Sequence, residues 1–295
     1  MGLLDRLLDA SIVASFDASG FRRHARRFDS EPGSMEGRRV LITGASSGLG
    51  LATARALAGL GAEVWGLARS EYKLEALREE IGLHPLVCDL ADLGAVRALE
   101  LPKRLDVLVH NAGVLLTEPG RSPQGHELTL AVNLLGPELL TRRLLPALTG
   151  GRVILVSSGG MYSERLDPGK LVEPPRFDGV AQYARTKRAQ VVLARLWAQR
   201  HPELRFASMH PGWADTPGVV SSLPRFHRLT RAILRTPEQG CDTVVWLAAG
   251  PEWPSGRFWF DRQPVAEHLR PGTRVEEAEE QRLWQLVERV VGPSG

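Results

Sequence analysis

The stretch "LITGASSGLGLATA", Leu41 to Ala54, decides the fold. It opens on apolar and β-branched residues, as a buried strand does, and closes on the leucine and alanine of a helix. Between the two stand Gly44, Gly48 and Gly50. Glycines at a strand-to-helix turn let backbone N–H groups approach a pyrophosphate, and the positive end of the helix attracts it. A glycine pattern alone is weak evidence and could mark only a tight turn, so its surroundings have to carry the reading.

Those surroundings are regular. From Arg38 onward short apolar runs alternate with longer helical patterns, the mark of repeated βαβ units and a parallel sheet. "RRVLIT", "AEVWGLA", "HPLVCDL", "LDVLVHNAG", "GRVILVSS", "LRFASMH" and "GRFWFD" are the candidate strands. Helices are predicted over about Gly125 to Leu148, over about Val180 to Arg200 and from near Pro237. The expectation is an α/β fold: a Rossmann-type, doubly wound parallel sheet of about seven strands in a single domain spanning 38–268. With 295 residues and 43% hydrophobic content the chain can bury such a core.

Arms flank this domain. In residues 1–37, Leu3, Leu4, Leu7, Leu8, Ile12 and Phe16 share one helical face, followed by the basic "FRRHARRF". Such an arm packs on its own domain or on a second subunit, or lies on a membrane surface. Residues 269–295 hold an acidic amphipathic helix, "RVEEAEEQRLWQLVERVV". Opposite charge makes pairing of the two arms conceivable. Two long connections, Gly159 to Gly179 and Asp215 to Thr236, leave the strand ends where ligands bind in doubly wound sheets, so both are expected to cover substrate.

Positive charge in this chain is written almost entirely as arginine: of 37 basic residues only Lys73, Lys103, Lys170 and Lys187 are lysine, and there are 3 tyrosines. "YARTK", Tyr183 to Lys187, therefore joins two scarce residues one helical turn apart, on one face. A lysine offers a compact, rotatable point charge that arginine does not. Such a charge within ~4 to 6 Å of a phenol lowers its pKa from ~10, which suits the phenol to proton transfer at neutral pH.

The glycine spacing TGxxxGxG, followed in order by "HNAG" at His110–Gly113, "VNLLG" with Asn133, "VSS", "YARTK" and "PGWADT", resembles the short-chain dehydrogenases/reductases over roughly Gly37 to His268. "VSSGGM", "KRAQVVL" and "SGRFWFDRQPV" narrow the resemblance to one subgroup. The resemblance implies an oxidoreductase moving a hydride between a nicotinamide and a carbonyl carbon. It implies Tyr183 as acid and base, Lys187 as the charge lowering its pKa and a partner of the nicotinamide ribose, Ser158 as donor to the substrate oxygen, and Asn133 as positioner of a proton-relaying water. Ser157 is the weaker candidate for the serine. His110, where the family carries asparagine, is given no catalytic role. The implied cofactor-binding set is Thr43, Gly44, Ser46, Ser47, Gly48, Leu49, Gly50, Arg69, Asp89, Leu90, Asn111, Ala112, Gly113, Tyr183, Lys187, Pro211, Gly212, Ala214 and Thr216.

At the end of the second strand an acidic residue would accept from a ribose 2′-hydroxyl. Ala68 stands there instead, followed by Arg69, whose guanidinium can grip a 2′-phosphate, so NADP(H) is expected. Met161, Tyr162, Val219, Leu223 and Phe226 in the long connections suggest an apolar carbonyl or alcohol substrate. A catalytically silent nucleotide-binding protein on the same fold is the alternative reading.

Cys88 and Cys241 lack companions at metal-ligand spacing, so no metal is expected, and they fit a reducing, cytoplasmic location. A formal charge of +3 without long basic runs argues against nucleic acid. No apolar run reaches the ~18 residues of a membrane span. A peripheral membrane contact stays open, and a homo-oligomer is the family habit.

Overall fold

The computed structural model describes residues 12–174, 176–269 and 271–293, so the leucine face at Leu3–Leu8 lies outside the described residues. The apolar runs become β1 (Arg39–Thr43), β2 (Glu63–Ala68), β3 (His84–Val87), β4 (Val107–His110), β5 (Arg152–Val156), β6 (Arg205–Met209) and β7 (Arg257–Phe260). They lie in the order β3-β2-β1-β4-β5-β6-β7, each pair parallel. The sequence predicts about seven strands and the sheet has eight: β8 (Gln263–Pro264) folds back antiparallel on β7 and is too short to show in a hydropathy pattern.

Alternate residues of each strand enter opposite layers. Val40, Ile42, Val107, Val109 and Ile154 face one core, closed by helices Gly48–Gly59, Glu71–Ile81 and Pro237–Ala249. Leu41, Leu108, Val153, Leu155 and Phe206 face the other, closed by helices Leu93–Ala98, Gly136–Leu144 and Gly179–Arg200. Burial on both faces is why the strands read as continuous apolar runs rather than alternating ones. The C-terminal helix, Glu277–Val291, adds Leu283, Trp284 and Val287 to this second core, with Trp284 5.0 Å from Trp197.

The helix after β4 departs from a simple periodic reading. It runs as Leu128–Leu130, a π-helical turn Ala131–Leu135, then Gly136–Leu144. Residues 130–135 are all buried, so hydropathy does not distinguish the pitch. π-turns are rare and favour functional sites. Pro137 lacks an N–H, so it has no bond to give the Asn133 carbonyl one turn back.

The described part of the N-terminal arm, helices Ile12–Phe16 and Ala18–Ala25, packs on its own domain through one guanidinium. Arg235, 1% exposed, donates to the carbonyls of Ser15 (2.9 Å), Phe16 (2.9 Å) and Asp17 (3.2 Å), and bidentately to Asp261 at 2.5 and 2.8 Å. Gly212, at φ +72°, leaves room for it: a Cβ there would stand 2.5 Å from Arg235 Nε. Asp261 and Arg262 form the two-residue turn between β7 and β8, both at positive φ, +47° and +60°. Asn-Gly is the usual choice for such a turn, and non-glycine residues there cost of order 1 kcal/mol each. Both side chains are clamped: Asp261 by Arg235 and His24, Arg262 by Asp242 and the Ser30 carbonyl. Burial works to raise the Asp261 carboxyl, but His24 and Arg235 outweigh it and hold the group below the usual carboxylate range. Removing one partner of such a buried pair costs about 3–5 kcal/mol. Arg235→Met should therefore lower the unfolding free energy in urea by about that amount, and should speed tryptic cleavage at Arg22 and Arg23.

Candidate active site

The loops that bear the sequence motifs all leave carboxyl ends of parallel strands, along one edge of the sheet. Thr43 ties β1 to β4 at this edge. Its hydroxyl accepts from the N–H groups of Asn111 and Ala112, each at 3.0 Å, and the Asn111 amide donates to the Thr43 carbonyl at 3.0 Å. Gly44, at φ +70°, turns the chain away immediately above. A Cβ on Gly50 would fall 2.4 Å from Asn111 Nδ2, so the helix starts this close only as glycine.

A cavity of about 280 Å³ opens beside this junction. Gly44, Ser46, Ser47, Gly48, Leu49, Arg69, Asp89, Leu90, Asn111, Ala112, Gly113 and Thr216 of the expected cofactor set line it. Leu67, Ala68, Cys88, Val114, Val132, Pro217 and Gly218 complete the wall. Thr43 and Gly50 stand behind that wall as its support. Tyr183, Lys187, Pro211, Gly212 and Ala214 are not part of it; Ala214 is buried in a bridge to Arg235.

The residues fit a dinucleotide. Ser47 precedes helix Gly48–Gly59 without capping it through its side chain, which leaves first-turn N–H groups for an anion. Arg69 is exposed and makes no hydrogen bond or ion pair among the described residues. Asp89 has one carboxylate oxygen held by the Ala91 N–H at 2.9 Å. A nucleotide phosphate would lie against the first turn after Gly48.

The second cluster gathers Ser158, Tyr183, Lys187 and Asn133. Ser157 is buried, its hydroxyl donating to the Lys187 carbonyl at 2.8 Å, so it fastens β5 to helix Gly179–Arg200. Ser158 caps the turn Gly159–Ser163, accepting from the Gly160 N–H at 3.1 Å, and its hydroxyl lies near enough to the Tyr183 phenol to work toward lowering its pKa. Lys187, 2% exposed, donates to the Val156 carbonyl at 2.8 Å and to Gln190 Oε1 at 3.1 Å, with Nζ 5.5 Å from the centre of the Tyr183 ring.

Desolvation pushes the Lys187 amine down to about 7 and pushes the Tyr183 phenol above its ordinary value, against the Ser158 hydroxyl that works to lower it. Desolvation disfavours the charged form of each group, and Lys187 has no acidic side chain bonded to it to offset that. Gln190, 1% exposed, links Asn133 to Lys187 directly: its Nε2 donates to the Asn133 carbonyl at 2.6 Å, and its Oε1 accepts from Lys187. The carbonyl is free because residue 137 is proline. The Asn133 side chain is fully engaged with Val114 (2.8 and 3.1 Å) and with Thr186 Oγ1 (3.0 Å), and Thr186 in turn donates to the Tyr183 carbonyl at 2.7 Å.

Sequence reasoning missed Gln190, although it stands one turn from Lys187. It also missed Phe16, whose ring packs 4.5 Å from His210 and 6.2 Å from Trp213, since nothing local ties an N-terminal phenylalanine to this edge. His110 bonds Thr141 Oγ1 at 2.7 Å and is held neutral by burial, down to about 3, as a polar strand-end residue. Met161 is 0% exposed against Val191 and Phe258, so it belongs to the core and not to a substrate wall. Phe226 packs edge-on to Trp213 at 5.3 Å. Both cysteines are buried, with thiols pushed up to about 11 for Cys88 and about 12 for Cys241.

Known proteins share this arrangement. Residues 38–224 match the short chain dehydrogenase family. The chain is 41% identical over 273 residues to human dehydrogenase/reductase SDR family member 12, covering 86% of each, which is the subgroup to which the shorter phrases point. It is 36% identical to mouse polyprenol dehydrogenase, covering 88% of this chain and 85% of that one. A crystal structure of an uncharacterized protein from Mycobacterium paratuberculosis superposes with TM-score 0.74 at 28% identity, covering 88% of this chain and 96% of that one. The glycine turn, the Ser158–Tyr183–Lys187 cluster and these likenesses agree: the chain belongs to the short-chain dehydrogenase/reductase family, NAD(P)-dependent oxidoreductases of alcohols and carbonyl compounds.

Proposed function

We propose that this protein is an NADP(H)-dependent oxidoreductase that interconverts an apolar alcohol and its carbonyl compound, with Tyr183 as acid and base. The observation that carries the reading is the nearness of the Ser158 hydroxyl to the Tyr183 phenol, one helical turn from Lys187. When bound, the nicotinamide cofactor supplies or accepts the hydride. In reduction the Tyr183 hydroxyl gives its proton to the carbonyl oxygen. In oxidation the phenolate takes the proton of the alcohol. Ser158 donates to the same substrate oxygen and holds it beside the phenol.

Lys187 in its ammonium form has three N–H groups, of which Val156 and Gln190 take two. The third is left for the cofactor ribose. A Cβ on Gly113 would stand 3.2 Å from Nζ, so glycine keeps that approach clear. Val219 and Leu223, with Phe226 packed on Trp213, support an apolar substrate, as does similarity to an enzyme named for polyprenol.

Three outcomes test the reading. With NADPH and a panel of apolar aldehydes and ketones, Tyr183→Phe should lower kcat by about 100- to 10,000-fold, the usual worth of general acid–base catalysis; turnover surviving in the variant would remove Tyr183 from the mechanism. Arg69→Ala should raise the KM for NADPH about 10- to 100-fold, the scale of a lost charge-assisted contact, and leave NADH kinetics nearly unchanged. Equal effects on both cofactors would refute the 2′-phosphate assignment. Because burial raises the phenol, Tyr183 stays protonated through the neutral range. Reduction needs that phenol and the Lys187 ammonium, so it should be level below pH 7 and fall above it as the amine, brought down to about 7, loses its charge. A reduction rate level from pH 7 to 9 would mean that Lys187 keeps its charge.

A further inference from the structure

The N-terminal helices enclose a second cavity, of about 600 Å³, together with the turn Gly159–Ser163, the end of β6 and the β7–β8 hairpin. That volume is in the range of small-molecule sites. Its walls are mainly apolar: Phe16, Phe28, Tyr162, Phe260 and Val265, with the half-exposed Leu269 at the rim. Ser158, Tyr183 and Lys187 do not line it. Phe16 separates it from Ser158, its ring filling the space over Gly159, where a Cβ would meet Phe16 at 2.5 Å.

The most enclosed ring of this wall carries an open donor. His210, 1% exposed, is stacked on Phe260 at 4.0 Å and packed against Phe16. Its Nδ1 accepts the Gly212 N–H at 3.4 Å, which leaves the proton of the neutral ring on Nε2. Burial holds the ring neutral, pushed down to about 3. Nε2 has no hydrogen-bond partner among the described residues, while Tyr162 is engaged with the Ala266 carbonyl at 2.8 Å and Asp261 with Arg235 and His24. Nε2 opens on the cavity, and a ligand oxygen there would accept its proton within apolar walls.

We infer that this cavity is a second binding site, for an apolar molecule bearing one hydrogen-bond-accepting oxygen that the His210 Nε2–H receives. The site stands independently of the reaction proposed above. Its test is a fluorescence titration of the full chain, without nicotinamide cofactor, using 6-propionyl-2-dimethylaminonaphthalene, an apolar fluorophore with one ketone oxygen. Saturable binding of one molecule per chain with blue-shifted emission is expected. Ala266→Trp, at an exposed position on the wall, should weaken binding at least tenfold. His210→Phe, which keeps the aromatic stack and deletes the donor, should weaken it about 3- to 10-fold, the worth of one hydrogen bond. Tyr183→Phe should leave it unchanged. No saturable binding, binding indifferent to both cavity variants, or binding lost in Tyr183→Phe or displaced by NADPH would each overturn the assignment. Val265→Trp decides the matter should His210→Phe fail to fold.

Discussion

Lys187 sits where a charged amine is least favoured, 2% exposed and bonded to a carbonyl and an amide with no acidic side chain. Much of the surrounding structure serves to keep it there. β5 supplies the Val156 carbonyl as acceptor, and Ser157 fastens the lysine's own backbone to the same strand. Helix Gly179–Arg200 sets Tyr183 one turn before it and Gln190 one turn after. The energetic consequence is an amine brought down to about 7, able to change charge where the cell works, at a position that a surface lysine could not imitate. Core packing and the proposed chemistry are joined at this residue, because the burial that makes the helix stable also sets the amine's proton affinity.

Most of the sheet was legible because both its faces are buried, so every central strand is a continuous apolar run. The glycine turn was legible for a different reason: Gly44 and Gly50 are dictated by backbone conformation and by contact with Asn111, which no other residue permits. Tyr183 and Lys187 could be singled out because the chain uses so little of either residue. Their electrostatics could not. Spacing puts a lysine near a tyrosine, but it does not say that the amine is buried without an acidic partner, and desolvation then moves the two pKa values away from the pattern that proximity alone suggests.

What stayed hidden depends on residues far apart in sequence. Arg235 looks like any arginine in a chain rich in them, yet it gathers Ser15, Phe16, Asp17 and Asp261, more than 200 positions apart at the extremes. The β7–β8 turn carries Asp and Arg at positive φ, against local preference, because Asp261 and Arg262 each hold part of the N-terminal segment. Local strain is tolerated where long-range bonds over-determine the conformation. The arm and hairpin thereby become one wall, and the cavity beside His210 exists only because both are in place. No window of sequence contains that information.

The link between Asn133 and Lys187 shows how one residue type can redirect a familiar arrangement. Pro137 withholds an N–H from the Asn133 carbonyl, and the π-turn places that carbonyl toward helix Gly179–Arg200. A water in that position could turn, accept and donate by turns, and so pass a proton. The Gln190 amide has fixed roles: its nitrogen donates to Asn133 and its oxygen accepts from Lys187. It therefore orients the amine and satisfies the orphan carbonyl, but it does not carry a proton from one to the other. Bonds made by a packed side chain also persist where a water exchanges with solvent, so the amine gains a defined position from the Asn133 side of the cluster.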